Sequence, residues 1–122
     1  MDSLDFEALV AEALESLPEE IARYLNNVDV VIEWAPSPQQ LHRLGLQPPQ
    51  TLLGLYEGIP LTERTSSYGL VLPDRIAIFQ RPIEQLCRTP EQIRAQVRRT
   101  VIHELAHHFG ISDDRLHELD AY

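Results

Sequence analysis

The sequence is poor in the residues that several common kinds of protein need. Cys87 is the only cysteine, which excludes an intrachain disulfide, a cysteine-ligated zinc site and a disulfide-rich secreted scaffold. We expect a buried, unreactive thiol there. Lysine is absent, and all ten basic residues are arginine. The chain also has neither a basic leader followed by an apolar core nor a run of about 20 apolar residues. These absences argue against secretion and membrane insertion, and they predict a cytoplasmic protein without a membrane partner.

Length and charge narrow the class of protein further. At 122 residues the chain can bury one hydrophobic core, and we expect a single domain over residues 1–122. Its formal net charge is −9 at pH 7. A chain this acidic should repel nucleic acid unless a basic patch or a metal ion reverses the local field. We therefore expect no nucleic-acid partner.

The first third of the chain is predicted to form helices followed by a strand. Apolar residues recur at helical spacing over residues 6–17, and a second short helical stretch follows Pro18. Apolar and polar residues then alternate over residues 28–34, which predicts a strand. Its better-buried face is predicted to carry Val28, Val30, Ile32 and Trp34.

The middle of the chain is predicted to contain a surface loop and two more strands. Prolines mark residues 36–49 as the loop, and the strands are predicted at residues 51–56 and 75–80. Pro73 and Pro82 bracket the second of these strands. Because prolines favour edges over central strands, the region of residues 70–82 is a candidate for an exposed edge that could dock an extended peptide.

A long helix is predicted near the end of the chain. Thr89 is a suitable N-cap and Pro90 suits the first helical position, so the helix should run from there to about Phe109. Its predicted core face consists of Val97, Val101, Ile102, Leu105, Ala106 and Phe109. His103 and His107 fall on roughly the opposite side and are predicted to line a cleft.

These two histidines belong to a pattern that is typical of catalytic zinc sites. Since they are four residues apart on a helix, both imidazoles can reach one ion. Glu104 projects about 100° away from His103, so it can reach a water on the metal without being a ligand. Gly110 can adopt the left-handed conformation that ends a helix and turns the chain back. Asp113 would then be the third ligand.

Asp113 has a second interpretation. Ser112, Asp113 and Asp114 also resemble the start of a short helix, where a serine or aspartate side chain caps free N–H groups. If Asp113 served only that purpose, Asp114 or His117 would be the alternative third ligand.

The chain resembles a known family, the small bacterial zincin-like metallopeptidases that are sometimes called minimal zincins. The resemblance lies in residues 6–10, 17–18, 53–58, 72–76 and 100–111. It implies an α/β (α+β) domain in which a small mixed sheet packs against the metal-binding helix. It also implies His103, His107 and Asp113 as ligand positions for Zn²⁺. It does not imply a particular substrate.

The chemistry expected of such a site is peptide hydrolysis. Three protein ligands leave one zinc position for water, whose pKa zinc can lower from about 15.7 to about 7. Glu104 would be the general base that accepts the proton of the attacking water and delivers it to the leaving amine. An oxyanion-stabilising donor is also needed. The candidates are His108, His117, Tyr56 and Tyr68.

Two features separate this chain from larger zinc proteases. Met1 is the only methionine, so the methionine turn of the metzincins is absent. Only nine residues follow Asp113, so we expect no second subdomain and a shallow, open site.

Two other functions remain open at this point. The first is a metal-dependent RNA hydrolase, because the bacterial endoribonucleases of ribosome maturation have similar ligand spacing. They carry Gly in place of Glu104 and His in place of Asp113, which favours peptide chemistry here. The second is a non-catalytic module that binds a metal or a protein partner on the same scaffold.

Overall fold

A computed structural model describes residues 3–47, 49–58 and 73–119 of the chain. Its helices are α1 (Ser3–Glu15), α2 (Glu19–Ala22), a 3₁₀ helix (Arg23–Asn27), α3 (Pro38–Arg43), α4 (Gln80–Leu86), α5 (Pro90–Phe109) and α6 (Asp113–Glu118). Its strands are β1 (Val28–Glu33), β2 (Gly54–Glu57) and β3 (Asp74–Phe79). Together they form the α+β architecture, with a small mixed sheet, that was expected. None of the described helices is both long enough and apolar enough to cross a membrane.

The sheet has the order β1-β3-β2, so β3 is its central strand. β1 runs parallel to β3, with Val28 opposite Asp74, and β2 runs antiparallel to β3, with Gly54 opposite Ile78. The prediction that this third strand is an exposed edge is therefore wrong, and so is the peptide-docking role that depended on it.

The two prolines that suggested an edge lie outside the ladder of β3. Pro73 directly precedes the strand, and Pro82 lies in the first turn of α4. Proline in the first turn of a helix removes an N–H that has no intrahelical partner in any case. Neither proline therefore deprives β3 of a hydrogen bond, and the strand can pair on both sides.

The core lies between the sheet and the helices α1 and α5. α1 packs against α5, and α5 in turn contacts both β2 and β3. The fully buried large side chains are Phe6, Ile21, Ile76, Ile78, Phe79, Ile83, Val97, Val101, Ile102, Leu105 and Leu116. The predicted amphipathic faces of the first helix and of α5 are confirmed, apart from the last residue of α5.

Two large side chains that were predicted to be buried are exposed instead. Trp34 is 60% exposed, because β1 ends at Glu33 and the chain then turns. The carbonyl of Trp34 accepts a hydrogen bond from the N–H of Arg81 at 2.9 Å. Phe109 is 42% exposed, and its ring packs 4.8 Å from the ring of Tyr24. The apolar periodicity of α5 therefore continues one residue beyond the core.

Two short helices were missed in the sequence. α3 lies within the segment that was predicted to be a loop, and Ser37 and Gln40 form a capping box at its start. α4 follows β3 without a break, so the predicted strand ends at Phe79 and Gln80 begins a helix. Cys87, directly after α4, is half-buried, and this burial raises the pKa of its thiol. A raised pKa lowers the thiolate fraction at neutral pH, which agrees with the expected unreactive thiol.

The buried face of α5 provides a test of this packing. Leu105 is fully buried, so Leu105→Ala should lower the free energy of unfolding by about 2 to 5 kcal/mol through lost apolar transfer and a cavity. Leu86→Ala is the control, because Leu86 is exposed, and it should change that free energy by less than about 0.5 kcal/mol. Denaturant unfolding measures both variants. Equal, small effects would contradict the assignment of Leu105 to the core.

Candidate active site

The chain reverses direction at the end of α5, three residues after the second histidine of the motif. Gly110 has a φ of 71° and caps the helix in the left-handed conformation that was predicted. The N–H of Ile111 donates to the carbonyl of Ala106 at 2.9 Å, which closes the helix end. α6 then begins at Asp113.

Ser112 supplies the helix cap in this segment. Its hydroxyl oxygen accepts a hydrogen bond from the N–H of Arg115 at 3.1 Å and caps α6. Because Ser112 provides the cap, Asp113 at the first helical position is not needed for it. Nε of Arg115 also donates to Glu20 at 2.9 Å, which ties α6 to α2. The position of Asp113 is therefore set by Gly110, by Ser112 and by this exposed ion pair.

The four residues of the motif line one open cavity. It has a volume of about 540 Å³ and is lined by His103, Glu104, Ala106, His107, Ile111, Asp113 and Leu116. Asp114 and His117, the two alternative ligands, are not among the described residues that line it. The helix spacing and the reversal at Gly110 therefore bring Asp113 to the same surface as the two histidines.

The side chains of this cavity carry the types of ligand atom that zinc binds. Both imidazoles are exposed on one face of α5, and nitrogen and carboxylate oxygen are ligands that zinc accepts. The side chains as placed do not yet form a ligand shell: among the described residues, no three His, Cys, Asp or Glu side chains converge closely enough to hold a metal ion. The donor set therefore matches zinc in ligand type and in lining one cavity, but not in the placement of the described side chains.

Glu104 makes a contact that the sequence did not suggest. The backbone N–H of Tyr56, in β2, donates a hydrogen bond of 2.7 Å to Oε1 of Glu104. The contact is possible because β2 lies very close to α5 at Gly54, where an added Cβ would come within 2.5 Å of Cγ2 of Thr100. Gly54 is therefore required for the close approach of strand and helix. A pairing between residues 48 apart leaves no periodic signal in the sequence.

An aromatic and acidic cluster adjoins Glu104. The ring of Tyr56 stacks on the ring of His108, with centroids 3.9 Å apart and planes inclined by 14°. The hydroxyl of Tyr56 donates to Oδ2 of Asp74 at 2.6 Å, and Nε2 of His108 lies 4.0 Å from the same oxygen. Phe109 packs edge-on against both rings.

The four candidate oxyanion donors are thereby placed differently from one another. Tyr56 uses its hydroxyl on Asp74, and His108 stacks beside it next to Glu104. His117 is on α6 and is not among the described residues of the motif cavity. Tyr68 lies outside the described residues. Among the described candidates, Tyr56 and His108 line the cleft that Glu104 and His107 also line.

A second cleft opens between β2 and α5. It has a volume of about 300 Å³, and Glu104 and His107 line it as well as the motif cavity. Its remaining wall is largely apolar and consists of Leu44, Leu52, Gly54, Leu55, Tyr56 and His108. Glu104 and His107 thus stand between a polar cavity on the Asp113 side and an apolar cleft on the β2 side.

Comparisons with known proteins agree with this fold and identify a family. The family model described as zincin-like metallopeptidase matches residues 25–122. The chain is also similar to the solved structure of a conserved hypothetical protein from Thermo thermophilus. The two are 28% identical, the match covers 86% of this chain and 91% of the other, and the TM-score is 0.54. A search of curated proteins found no match. With most of its length matched by the family model, the chain belongs to the zincin-like metallopeptidase family.

Proposed function

We propose that this protein is a zinc-dependent peptidase that acts in the cytoplasm. His103, His107 and Asp113 would hold the zinc ion, and Glu104 would be the general base. The single observation that carries this proposal is the cavity that all four of these residues line. Family membership supports metallopeptidase chemistry in general. The acidic net charge favours a peptide over a nucleic acid as the substrate.

The zinc ion and the side chains have different roles in the proposed reaction. When bound, zinc supplies Lewis acidity toward the substrate carbonyl and toward water. Glu104 accepts the proton of the attacking water on its carboxylate and passes it to the nitrogen of the leaving amine. Its position between the motif cavity and the apolar cleft places that carboxylate beside both surfaces on which a peptide could lie.

We infer that the peptide main chain lies along the outer edge of β2. Among the described strands, β2 pairs only with β3. The carbonyl of Leu53 accepts from the N–H of Phe79, whereas the N–H of Tyr56 points away from the sheet to Glu104. Because successive backbone groups of a strand face opposite edges, Gly54 presents its N–H and carbonyl to the outer edge, and Tyr56 presents its carbonyl there while its N–H donates to Glu104. An extended peptide could add there as a further strand, directly beside Glu104.

The apolar cleft then indicates which side chain the substrate carries. A peptide on this edge would pass over Leu44, Leu52 and Leu55. Leucine side chains that remain partly exposed beside a polar site gain stability when an apolar group covers them. We therefore propose substrates with a large apolar side chain next to the scissile bond.

A charge placed in the cleft tests this preference. Leu44 is 49% exposed, so Leu44→Asp should leave the fold intact. The new carboxylate should disfavour an apolar substrate side chain in the cleft. We expect kcat/KM to fall at least about tenfold for peptides with an apolar residue and to rise for peptides with arginine at that position. Leu86→Asp is the matched control, since Leu86 is 60% exposed and is not among the described residues of the cleft. An unchanged preference in Leu44→Asp would contradict the assignment.

An activity panel separates the three functional classes. Zinc-loaded protein is incubated with a peptide library and with structured RNA, and products are identified by mass spectrometry. Cleavage of peptides alone supports the proposal. Cleavage of RNA alone would replace it with the RNA hydrolase, and stoichiometric zinc without any turnover would favour a binding module.

A further inference from the structure

Tyr56 contacts α5 at two successive turns of the helix. Its backbone N–H donates to Oε1 of Glu104 at 2.7 Å, and its ring stacks on the ring of His108 with centroids 3.9 Å apart. Glu104 and His108 are four residues apart and therefore lie on the same face of the helix. One residue of β2 thus holds both the carboxylate and the side chain one turn beyond it.

The other end of Tyr56 is fixed to the centre of the sheet. Its hydroxyl donates to Oδ2 of Asp74 at 2.6 Å. Asp74 is only 7% exposed and is the first residue of β3, the strand that pairs on both sides. A short hydrogen bond to a buried carboxylate is among the stronger kinds in proteins. The phenol is therefore anchored to the central strand of the described sheet.

The geometry of the Glu104 carboxylate follows from these contacts. A glutamate side chain has several freely rotating bonds, and it loses that freedom when one oxygen is held. Oε1 accepts the Tyr56 N–H, which leaves the lone pairs of Oε2 for a proton. A backbone N–H cannot move without its strand, and this strand lies close against α5 at Gly54, pairs with β3 and is tied to Asp74 by the Tyr56 hydroxyl.

We propose that Tyr56, anchored by Asp74, is a positioning residue that orients Glu104 for proton transfer. This inference rests on the proposed role of Glu104 as general base. Small misplacements of a catalytic group cost large factors in rate, so loss of the anchor should lower turnover more than substrate binding.

Tyr56→Phe removes only the anchoring hydroxyl and keeps the ring that stacks on His108. In the zinc-loaded full chain we expect kcat to fall about tenfold or more, with KM, zinc affinity and the thermal midpoint nearly unchanged. Tyr24→Phe is the matched control, because Tyr24 packs in the same aromatic cluster through its ring, 4.8 Å from Phe109. It should change none of these quantities.

Amide hydrogen exchange tests the same contact without any turnover. The N–H of residue 56 lies on an open strand edge, so its exchange should be slow only while Glu104 accepts it. Residue-resolved NMR should therefore find slow exchange in the parent and in Tyr24→Phe. It should find clearly faster exchange in Tyr56→Phe and in Glu104→Ala.

The two measurements distinguish failure of this inference from failure of the proposed function. Unchanged kcat and unchanged exchange at residue 56 in Tyr56→Phe would overturn the positioning role. A parallel loss of kcat, substrate binding, zinc affinity and thermal stability would also overturn it, because that pattern reports a purely structural residue. If the parent cleaves no peptide, the proposed function fails, while faster exchange in Tyr56→Phe would still support the anchor.

Discussion

Replacement of either motif histidine by alanine should abolish zinc binding. The parent should bind one zinc ion per chain, and His103→Ala or His107→Ala should bind none at the same free metal concentration. Each change removes one of two imidazoles that share a face of α5 and line one cavity. Metal analysis of the purified protein and competition with a chelator measure the stoichiometry and affinity. Binding should also weaken at acid pH, since only the neutral imidazole ligates.

The carboxylates of α6 provide the matched comparison for the third ligand. Asp113→Ala should weaken zinc binding substantially, whereas Asp114→Ala should leave it near the parental value. The two residues are adjacent and both exposed, but of the pair only Asp113 lines the cavity. If Asp114→Ala weakens zinc binding and Asp113→Ala does not, the third ligand is Asp114. Full stoichiometry and affinity in either histidine variant would show that the proposed site is wrong.

Local signals in the sequence account for the helix that carries the motif. Thr89 accepts a hydrogen bond from the N–H of Gln92 at 3.2 Å, Pro90 opens the helix and Gly110 ends it, each as predicted. These residues act through the backbone of their own neighbours, so their effect does not depend on the rest of the fold. The placement of His103 and His107 on one face follows from the helix alone.

Local sequence signals did not predict the position of each strand in the sheet. Pro73 and Pro82 bracket β3, but whether a proline removes a ladder hydrogen bond depends on where the strand begins and ends. Both prolines lie outside β3, so they give no information on whether the strand pairs on one side or on two. Trp34 and Phe109 show the same limit, because each continues the periodicity of its element one residue beyond the part that the core covers.

The contacts around Glu104 were beyond sequence reasoning for a different reason. Tyr56 is 48 residues away from Glu104 and 18 away from Asp74 along the chain. Such pairs are brought together by the order of the strands and by the close approach at Gly54. The motif therefore predicted which side chains share a cavity, but the fold determines what holds the general base in place.

Glu104→Gln should remove turnover while it preserves the site. Glutamine has the same size, and its carbonyl oxygen can still accept the N–H of Tyr56 that the glutamate accepts at 2.7 Å. It cannot act as a base near neutral pH, so kcat/KM should fall by a factor of about 10² to 10⁴. Zinc affinity and the free energy of unfolding should stay close to the parental values. Steady-state cleavage of a peptide found in the library and chelator competition measure these quantities.

Glu91→Gln is the control for this substitution, because Glu91 is exposed in the first turn of the same helix. It makes the same chemical change about four turns of helix away from the motif and should leave cleavage unchanged. If Glu104→Gln cleaves as fast as the parent, the proteolysis comes from a contaminant or from a mechanism that does not use this carboxylate. If Glu104→Gln loses zinc as well as turnover, Glu104 helps to hold the metal. The proposal of three ligands and a separate general base would then be wrong. Only loss of turnover with zinc retained agrees with a general base that the edge strand orients and the ion does not bind.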